Sequence, residues 1–184
     1  MLRFFSKIIL KIFGWKEIGT VPKLDKYVVV FAPHTSNIDF VIGALFYLSK
    51  GMRVHFLIKK ELFFFPLDYI LKALGGIPVN RKNSGDLVDR IVNKFKNEDK
   101  YILIITPEGT RKKVTEWKKG FYNIATLAEV PIVPGYFDFE KKIIKIGEPY
   151  NLTGTVEEEM KRVKLFFKDV KGRHPERFSI GDVS

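Results

Sequence analysis

The chain has 184 residues, a length typical of one domain, and 46% of them are hydrophobic, which is enough to fill one core. It has no cysteine, which excludes disulfides, thiolate metal sites and a cysteine nucleophile, and its three histidines lack metal-ligand spacing. The formal net charge of +11 indicates an anionic partner, and nucleic acid, a phospholipid surface or a phosphorylated small molecule would each fit.

The first predicted element is an amphipathic helix within residues 1–16. Its polar side carries Arg3, Ser6, Lys7 and Lys11, and Leu10 is the one apolar residue out of place. The apolar face consists of Leu2, Phe4, Phe5, Ile8, Ile9, Ile12 and Phe13. Basic helices with aromatic residues on the apolar side are typical of the headgroup region of an anionic leaflet. We therefore expect a peripheral protein on the cytoplasmic face of the cell membrane, with packing of this apolar face on the protein's own core as the alternative.

Beyond Gly14, strand and helix patterns alternate with short connections, which predicts one α/β domain over residues 20–184. We expect a central mixed sheet flanked by helices. The predicted strands are 27–32, 54–58, 77–79, 101–105, 132–133 and 143–146, and the predicted helices are 38–48, 67–74, 86–95, 121–128 and 156–170. The strand at 27–32 is continuously apolar, as in a strand buried on both faces.

His34 follows this strand in a polar turn, and Asp39 begins the next helix. Ligands in open α/β sheets usually bind at the carboxyl ends of strands. There the Asp39 carboxylate would accept a hydrogen bond from one imidazole nitrogen and leave the other free to take a proton near neutral pH. A structural interpretation is compatible with this one, since Ser36 and Asp39 fit a Ser-x-x-Asp capping box. We favour this capping role for Ser36 over a Ser-His-Asp triad, because the hydroxyl would have to reach a base two residues away on the same turn.

A second polar turn, Glu108 to Arg111, also follows an apolar strand closely. Gly109 lets the backbone approach a ligand, Thr110 offers a hydroxyl, and Arg111 can hold a phosphate through two parallel hydrogen bonds. The pattern therefore indicates phosphate binding. The alternative is a plain turn with a solvated arginine.

A third segment, residues 76–81, is a short strand that delivers Arg81 into polar sequence. Taken alone this segment is weak evidence of a binding site, because surface arginines are common. Cations and aromatic residues precede it, and we expect Phe63, Phe64 and Phe65 in the core rather than at a lipid surface.

Together these segments resemble the glycerolipid acyltransferase family. His34 and Asp39 reproduce its motif of His, four residues and Asp; residues 76–81 look like its second block, residues 108–111 are its Glu-Gly-Thr-Arg block, and residues 130–134 look like its proline-bearing block. The resemblance covers roughly residues 27–148, and four ordered motifs arise by chance far less often than one. Asn80, Thr106, Lys112 and Gly135 depart from residues common in the family, although none of these changes removes a catalytic group.

The resemblance implies a glycerol-3-phosphate acyltransferase-like fold and an O-acyltransferase of phospholipid biosynthesis. Such an enzyme moves a fatty acyl group from acyl-CoA or acyl-carrier protein to the free hydroxyl of a lysophospholipid, here 1-acylglycerol 3-phosphate giving phosphatidate. No metal or further cofactor is expected. By resemblance His34 is the general base and Asp39 orients it. The expected acceptor-binding residues are Arg81, Glu108, Gly109, Thr110 and Arg111, with Glu108 holding an arginine or a substrate hydroxyl rather than phosphate.

Three other functions stay open from the sequence. The acceptor could instead be a lyso-amino-lipid without phosphate. The same His–Asp pair could activate water for hydrolysis, and a non-catalytic membrane-binding module would also use the positive charge. We expect no nucleic-acid partner, because nucleic-acid binding would leave the four ordered motifs unexplained.

Overall fold

The continuously apolar segment predicted as a buried strand lies in the middle of a seven-stranded sheet. The structure is a computed structural model that describes residues 1–80 and 84–182. The strands are β1 (Lys16–Ile18), β2 (Lys26–Phe31), β3 (His55–Lys59), β4 (Gly76–Val79), β5 (Tyr101–Ile105), β6 (Ile132–Asp138) and β7 (Ile143–Ile146). The helices are α1 (Leu2–Ile12), α2 (Ile38–Lys50), α3 (Leu67–Ala73), α4 (Ser84–Asn97), α5 (Gly120–Leu127) and α6 (Val156–Phe166), with short 3₁₀ helices at Lys60–Leu62 and Pro175–Arg177.

The sheet has the strand order β1-β7-β6-β2-β5-β3-β4. Only β6 and β7 pair in antiparallel fashion, so within the described residues the sheet is mixed, as predicted. β2 lies between β5 and β6 and is parallel to both. The carboxyl ends of β2, β5 and β6 therefore lie side by side at the same end of the strands.

Residues of β2 alternate between two hydrophobic cores, one on each face of the sheet. Val28 and Val30 pack with buried residues of α4, α5 and α6. Val29 and Phe31 pack with buried residues of α2 and with Leu10 of α1. Because successive side chains of a strand point to opposite faces, a strand covered on both faces is apolar throughout.

The N-terminal helix α1 packs on the domain through the residues that its amphipathic pattern did not favour. Ser6 and Leu10 are buried, and the Arg3 side chain lies beside Gly51 at the end of α2. The apolar face is exposed instead, and its exposed members are Leu2, Phe4, Phe5, Ile8, Ile12 and Phe13. Leu10, the misfit of the pattern, is thus the anchor of the helix. Among the described residues, no helix is both long and apolar enough to span a bilayer.

Several boundaries differ from the sequence prediction for identifiable reasons. The unpredicted strand β1 consists of three exposed residues at the sheet edge, so its pairing with β7 defines it rather than a hydrophobic pattern. β6 continues through Pro134 and Gly135, which usually interrupt a strand, and here they pair with Val30 and Phe31. The helix predicted at 156–170 ends at Phe166.

The expectation that Phe63, Phe64 and Phe65 lie in the core is wrong for two of them. Phe64 is 57% and Phe65 80% exposed, whereas Phe63 is partly buried. The segment connects β3 to β4, the two outermost strands on that side of the sheet, so little of the domain lies beyond them to cover it.

Candidate active site

Two neighbouring parallel strands bring the His34 and Glu108 turns together. Val30 of β2 pairs with Ile105 of β5, so the segments that follow these two strands leave the sheet side by side. The backbone N–H of His34 donates to both carboxyl oxygens of Glu108, at 2.9 Å to Oε2 and 3.2 Å to Oε1. Glu108 therefore holds the main chain of the turn that carries His34.

His34 and Asp39 lie in contact, as their spacing predicts, and their catalytic roles stay a prediction. Nδ1 of His34 lies 3.3 Å from Oδ2 of Asp39. Asp39 is in the first turn of α2 and is 3% exposed, while 19% of the His34 side chain is exposed. An acceptor at Nδ1 favours the proton on that nitrogen and leaves Nε2 as the proton acceptor.

The Asp39 carboxylate is fixed by main-chain donors of the same turn. Its Oδ2 accepts the N–H of Thr35 at 2.8 Å and the N–H of Ser36 at 2.9 Å. Charge-assisted bonds of this kind are stronger than neutral ones, so the carboxylate is held in place before any substrate binds.

Ser36 takes a local structural role. Its Oγ accepts the N–H of Ile38 at 3.2 Å, and Asn37 is the N-cap residue of α2. Asp39 accepts the N–H of Ser36 as a capping box requires, but the reciprocal bond goes to Ile38. The predicted box is therefore half formed, and the Ser36 hydroxyl serves the turn itself.

Glu108 is buried beside the pair, and its environment changes its ionisation. It is 4% exposed, and burial raises its pKa to about 8, an effect that the His34 N–H opposes and the nearby Asp39 carboxylate reinforces. The carboxyl group is therefore mostly protonated at neutral pH. The sequence suggested an arginine or a substrate hydroxyl as the partner of Glu108, and its partner here is the His34 backbone; the substrate-binding role stays a prediction.

Gly109, Thr110 and Arg111 form the turn that follows Glu108. Gly109 has φ +63°, a left-handed conformation that favours glycine, and its N–H donates to the carbonyl of Thr106 at 3.1 Å. Thr110 Oγ1 accepts the N–H of Lys112 at 3.3 Å, and Arg111 is exposed to solvent. These positions suit a phosphate-binding turn, whose ligand stays a prediction.

Arg81, the predicted phosphate ligand of the third segment, lies outside the described residues, so its role stays a prediction. Two other residues beside the site were not foreseen. The Oγ1 of the fully buried Thr35 accepts the backbone N–H of His174 at 3.1 Å. Arg177 lines an open pocket of about 560 Å³ with Thr110, Arg111, Lys112 and Lys113. Neither contact has a local sequence signal, because each joins positions more than 60 residues apart.

Comparison with known proteins agrees with this fold. The family model described as Acyltransferase matches residues 16–138, more than half of the chain, so the chain belongs to the acyltransferase family. The structure is similar to the crystal structure of the 1-acyl-sn-glycerophosphate (LPA) acyltransferase PlsC from Thermotoga maritima, with a TM-score of 0.60 and 23% sequence identity. The match covers 93% of this chain and 80% of that one, and it confirms the predicted α/β fold. A search of curated protein sequences finds no significant match.

Proposed function

We propose that the protein transfers a fatty acyl group from acyl-CoA or acyl-carrier protein to the free hydroxyl of 1-acylglycerol 3-phosphate, giving phosphatidate. Membership of the acyltransferase family supports the reaction class. The observation that carries the proposal is the His34–Asp39 pair, in which Nδ1 faces a fixed carboxylate and Nε2 has no hydrogen-bond partner among the described residues. The pair follows the carboxyl end of β2, and ligands usually bind at the carboxyl ends of strands in such sheets.

In the proposed mechanism His34 acts as general base without a covalent acyl-enzyme. Nε2 takes the proton of the acceptor hydroxyl as its oxygen attacks the thioester carbonyl carbon. The C–S bond then breaks, and the imidazolium returns the proton to the departing thiolate. Asp39 orients the ring and stabilises the transient imidazolium from the Nδ1 side, and the 3.3 Å contact supports this role.

A phosphate on the acceptor is favoured by the cations around the Glu108 turn. Arg111 follows Thr110 in an exposed turn whose next two residues are Lys112 and Lys113. Arginine binds phosphate through paired hydrogen bonds, so this turn is suited to a phosphomonoester head group. A lyso-amino-lipid without phosphate would leave these cations without a partner on the acceptor.

We also propose that the protein works on the cytoplasmic face of the cell membrane, with α1 lying on the anionic lipid surface. Six large apolar residues of α1 and of the turn that follows it are exposed, while its anchoring residues Ser6 and Leu10 face the domain. Phe64 and Phe65 add exposed aromatic side chains elsewhere, close in sequence to Lys59 and Lys60. Exposed apolar side chains among cations suit binding to anionic lipid.

The proposal is tested by acyl transfer in vesicles that contain anionic lipid. Purified protein is offered acyl-CoA or acyl-carrier protein together with a panel of lysolipids, and the products are identified by mass. Phosphatidate formed only with the lysophosphatidate acceptor is expected. Product only on a lyso-amino-lipid would correct the acceptor, free fatty acid without acceptor dependence would indicate a hydrolase, and absence of any product would favour a membrane-binding module.

A further inference from the structure

The segment 171–178 reaches the active site from outside the region that the family model matches. Its start is fixed by the backbone bond from Phe139 N–H to the carbonyl of Lys171, at 2.9 Å. Its end is fixed by Phe178, which packs against the core beneath α4, α5 and α6 with its ring centroid 6.2 Å from that of Trp117. Both ends of this C-terminal segment are therefore anchored to the domain.

Between these anchors the C-terminal segment contacts the turn that carries His34. Gly172 is buried so closely that an added Cβ would lie 2.8 Å from Thr35 Oγ1 and 3.0 Å from Pro33 Cβ. The N–H of His174 donates to the same Thr35 Oγ1 at 3.1 Å. The segment thus has a fixed position relative to the catalytic turn.

This position brings Arg177 to the Glu108 turn. The open pocket of about 560 Å³ is lined by Thr110, Arg111, Lys112, Lys113 and Arg177. Four of these five side chains are cationic, and no acidic side chain of the described residues lines the pocket. Such a concentration of one charge raises the local concentration of anions, and the volume is ample for a phosphate group.

We propose that Arg177 completes a phosphate-binding pocket with Arg111, Lys112 and Lys113, and so determines which phosphorylated substrate the enzyme accepts. The inference rests on the proposed function for the identity of that substrate. The phosphate belongs either to the glycerol phosphate head group of the lysolipid or to the 3′-phosphate on the nucleotide part of acyl-CoA. Both are phosphomonoesters, and both would engage the guanidinium through paired hydrogen bonds.

The existing contact of Arg177 leaves it available for this role. Its Nε lies 3.6 Å from Oε1 of Glu176, and both side chains are about half exposed or more, at 49% and 66%. Exposed ion pairs of this kind are weak, so a phosphate dianion can replace the carboxylate.

Equilibrium binding tests the proposal without requiring turnover. The protein, Arg177→Gln and a control, Arg53→Gln, are titrated with sn-glycerol 3-phosphate and, separately, with adenosine 3′,5′-bisphosphate, at constant ionic strength and with NMR detection. Arg53 is an exposed arginine just before β3, at the amino-terminal ends of the parallel strands, whereas the pocket lies beyond their carboxyl ends. The control therefore removes the same charge at a distant place.

The expected result is that Arg177→Gln weakens binding of one probe roughly tenfold, as loss of a charged hydrogen-bonding partner does, while Arg53→Gln binds as the unaltered protein does. The affected probe identifies whether acceptor or donor phosphate occupies the pocket. Equal binding of both probes by Arg177→Gln and the unaltered protein would overturn the proposal, and so would binding of neither probe by the unaltered protein. Phosphate binding that depends on Arg177, in a protein that transfers no acyl group, would instead overturn the proposed function and leave this inference standing.

Discussion

The proposed reacting pair, His34 and Asp39, is positioned by main-chain groups and by one buried acid. Two N–H groups of the turn hold Asp39, and Glu108 holds the N–H of His34. The imidazole is therefore oriented by a carboxylate that cannot rotate without losing its two hydrogen bonds to the backbone of the turn. Such preorganisation costs nothing at the moment of reaction, which is what a general base requires.

Glu108→Gln is expected to change how the stability of the protein depends on pH. The native carboxyl group has a pKa of about 8, against an ordinary value of 4.5. Between about pH 5 and 8 the native state keeps a proton that the unfolded state releases, so the free energy of unfolding falls as the pH rises, by up to about 1.4 kcal/mol per pH unit. The glutamine variant has no such proton, and its unfolding free energy should fall less over the same range.

Chemical unfolding at several pH values measures this difference. The control is Glu116→Gln, which alters an exposed glutamate a few residues further along the chain. Its pH dependence should follow that of the unaltered protein. Identical curves for Glu108→Gln and the unaltered protein would show that the carboxyl group is not held in its neutral form.

The sequence predicts the contact between His34 and Asp39 better than it predicts the contacts that support this pair. The spacing of His34 and Asp39 on one turn is a local property, and their contact in the structure is the predicted one. The partner of Glu108 depends on the register between β2 and β5, which no local pattern specifies. The contact of Thr35 with His174 depends on where the chain returns after α6.

At the scale of elements, α1 presents its apolar face to solvent, and this face can be weakened without touching the core. Replacing Phe4 and Ile12 together by serine removes two exposed apolar side chains, 66% and 74% accessible. Co-sedimentation with anionic vesicles should fall about tenfold or more, since each buried apolar side chain contributes about 1.5–3 kcal/mol when fully transferred.

The matched control for this test is Leu165→Ser. Leu165 is 47% exposed on α6, a helix that packs on the opposite face of the sheet from α1. Its replacement should leave vesicle binding unchanged. Equal loss of binding in both variants would indicate non-specific hydrophobic adsorption to the vesicles. No loss in the α1 variant would contradict the proposed contact of α1 with the membrane.

A second element-scale prediction concerns the C-terminal segment at Gly172. In Gly172→Ala the new Cβ would meet Thr35 Oγ1 and Pro33 Cβ at 2.8 and 3.0 Å, so the turn that carries His34 or the C-terminal segment has to shift. We expect kcat to fall about tenfold, because small displacements of a catalytic group are costly. Gly120→Ala is the control, since an added Cβ there meets nothing within 4 Å.

Steady-state kinetics together with thermal unfolding distinguishes a shifted turn from a damaged fold. A loss of kcat with only a small change in melting temperature supports the contact between segment and turn. Full activity in Gly172→Ala would show that the segment yields without disturbing His34.

Hydrophobic patterns predict strands and helices well where the side chains are buried. They predict poorly where an element is defined only by its pairing with a neighbouring strand. β5 is apolar throughout and β2 is apolar from Tyr27 onwards, and both strands were predicted closely because both faces of the sheet are covered there. β1 has three exposed residues and no hydrophobic pattern to reveal it. The periodicity of α1 showed that it is a helix, but not which side contacts the domain, because Leu10 rather than the apolar face is its anchor.

At the scale of the whole molecule, the net charge of +11 can be interpreted only once the fold shows where the cations lie. Cations line the pocket beside the Glu108 turn, and others lie on the polar side of α1. One set is suited to a phosphorylated substrate and the other to anionic lipid, so both sets of cations fit the proposed reaction at a membrane surface. Composition alone could not distinguish this use from nucleic-acid binding.

The central claim, that His34 is the general base of an acyl transfer, is tested most directly by comparing His34→Ala with Ser36→Ala in vesicles that contain acyl donor and lysophosphatidate. The two residues share one turn, and the Ser36 hydroxyl bonds only to the N–H of Ile38 among the contacts described for it. We expect His34→Ala to lose about 10²–10⁴-fold in kcat, the usual contribution of a general base, and Ser36→Ala to stay within a few-fold of the unaltered protein. Equal activity of His34→Ala and the unaltered protein, or a loss in Ser36→Ala as deep as that in His34→Ala, would contradict the account.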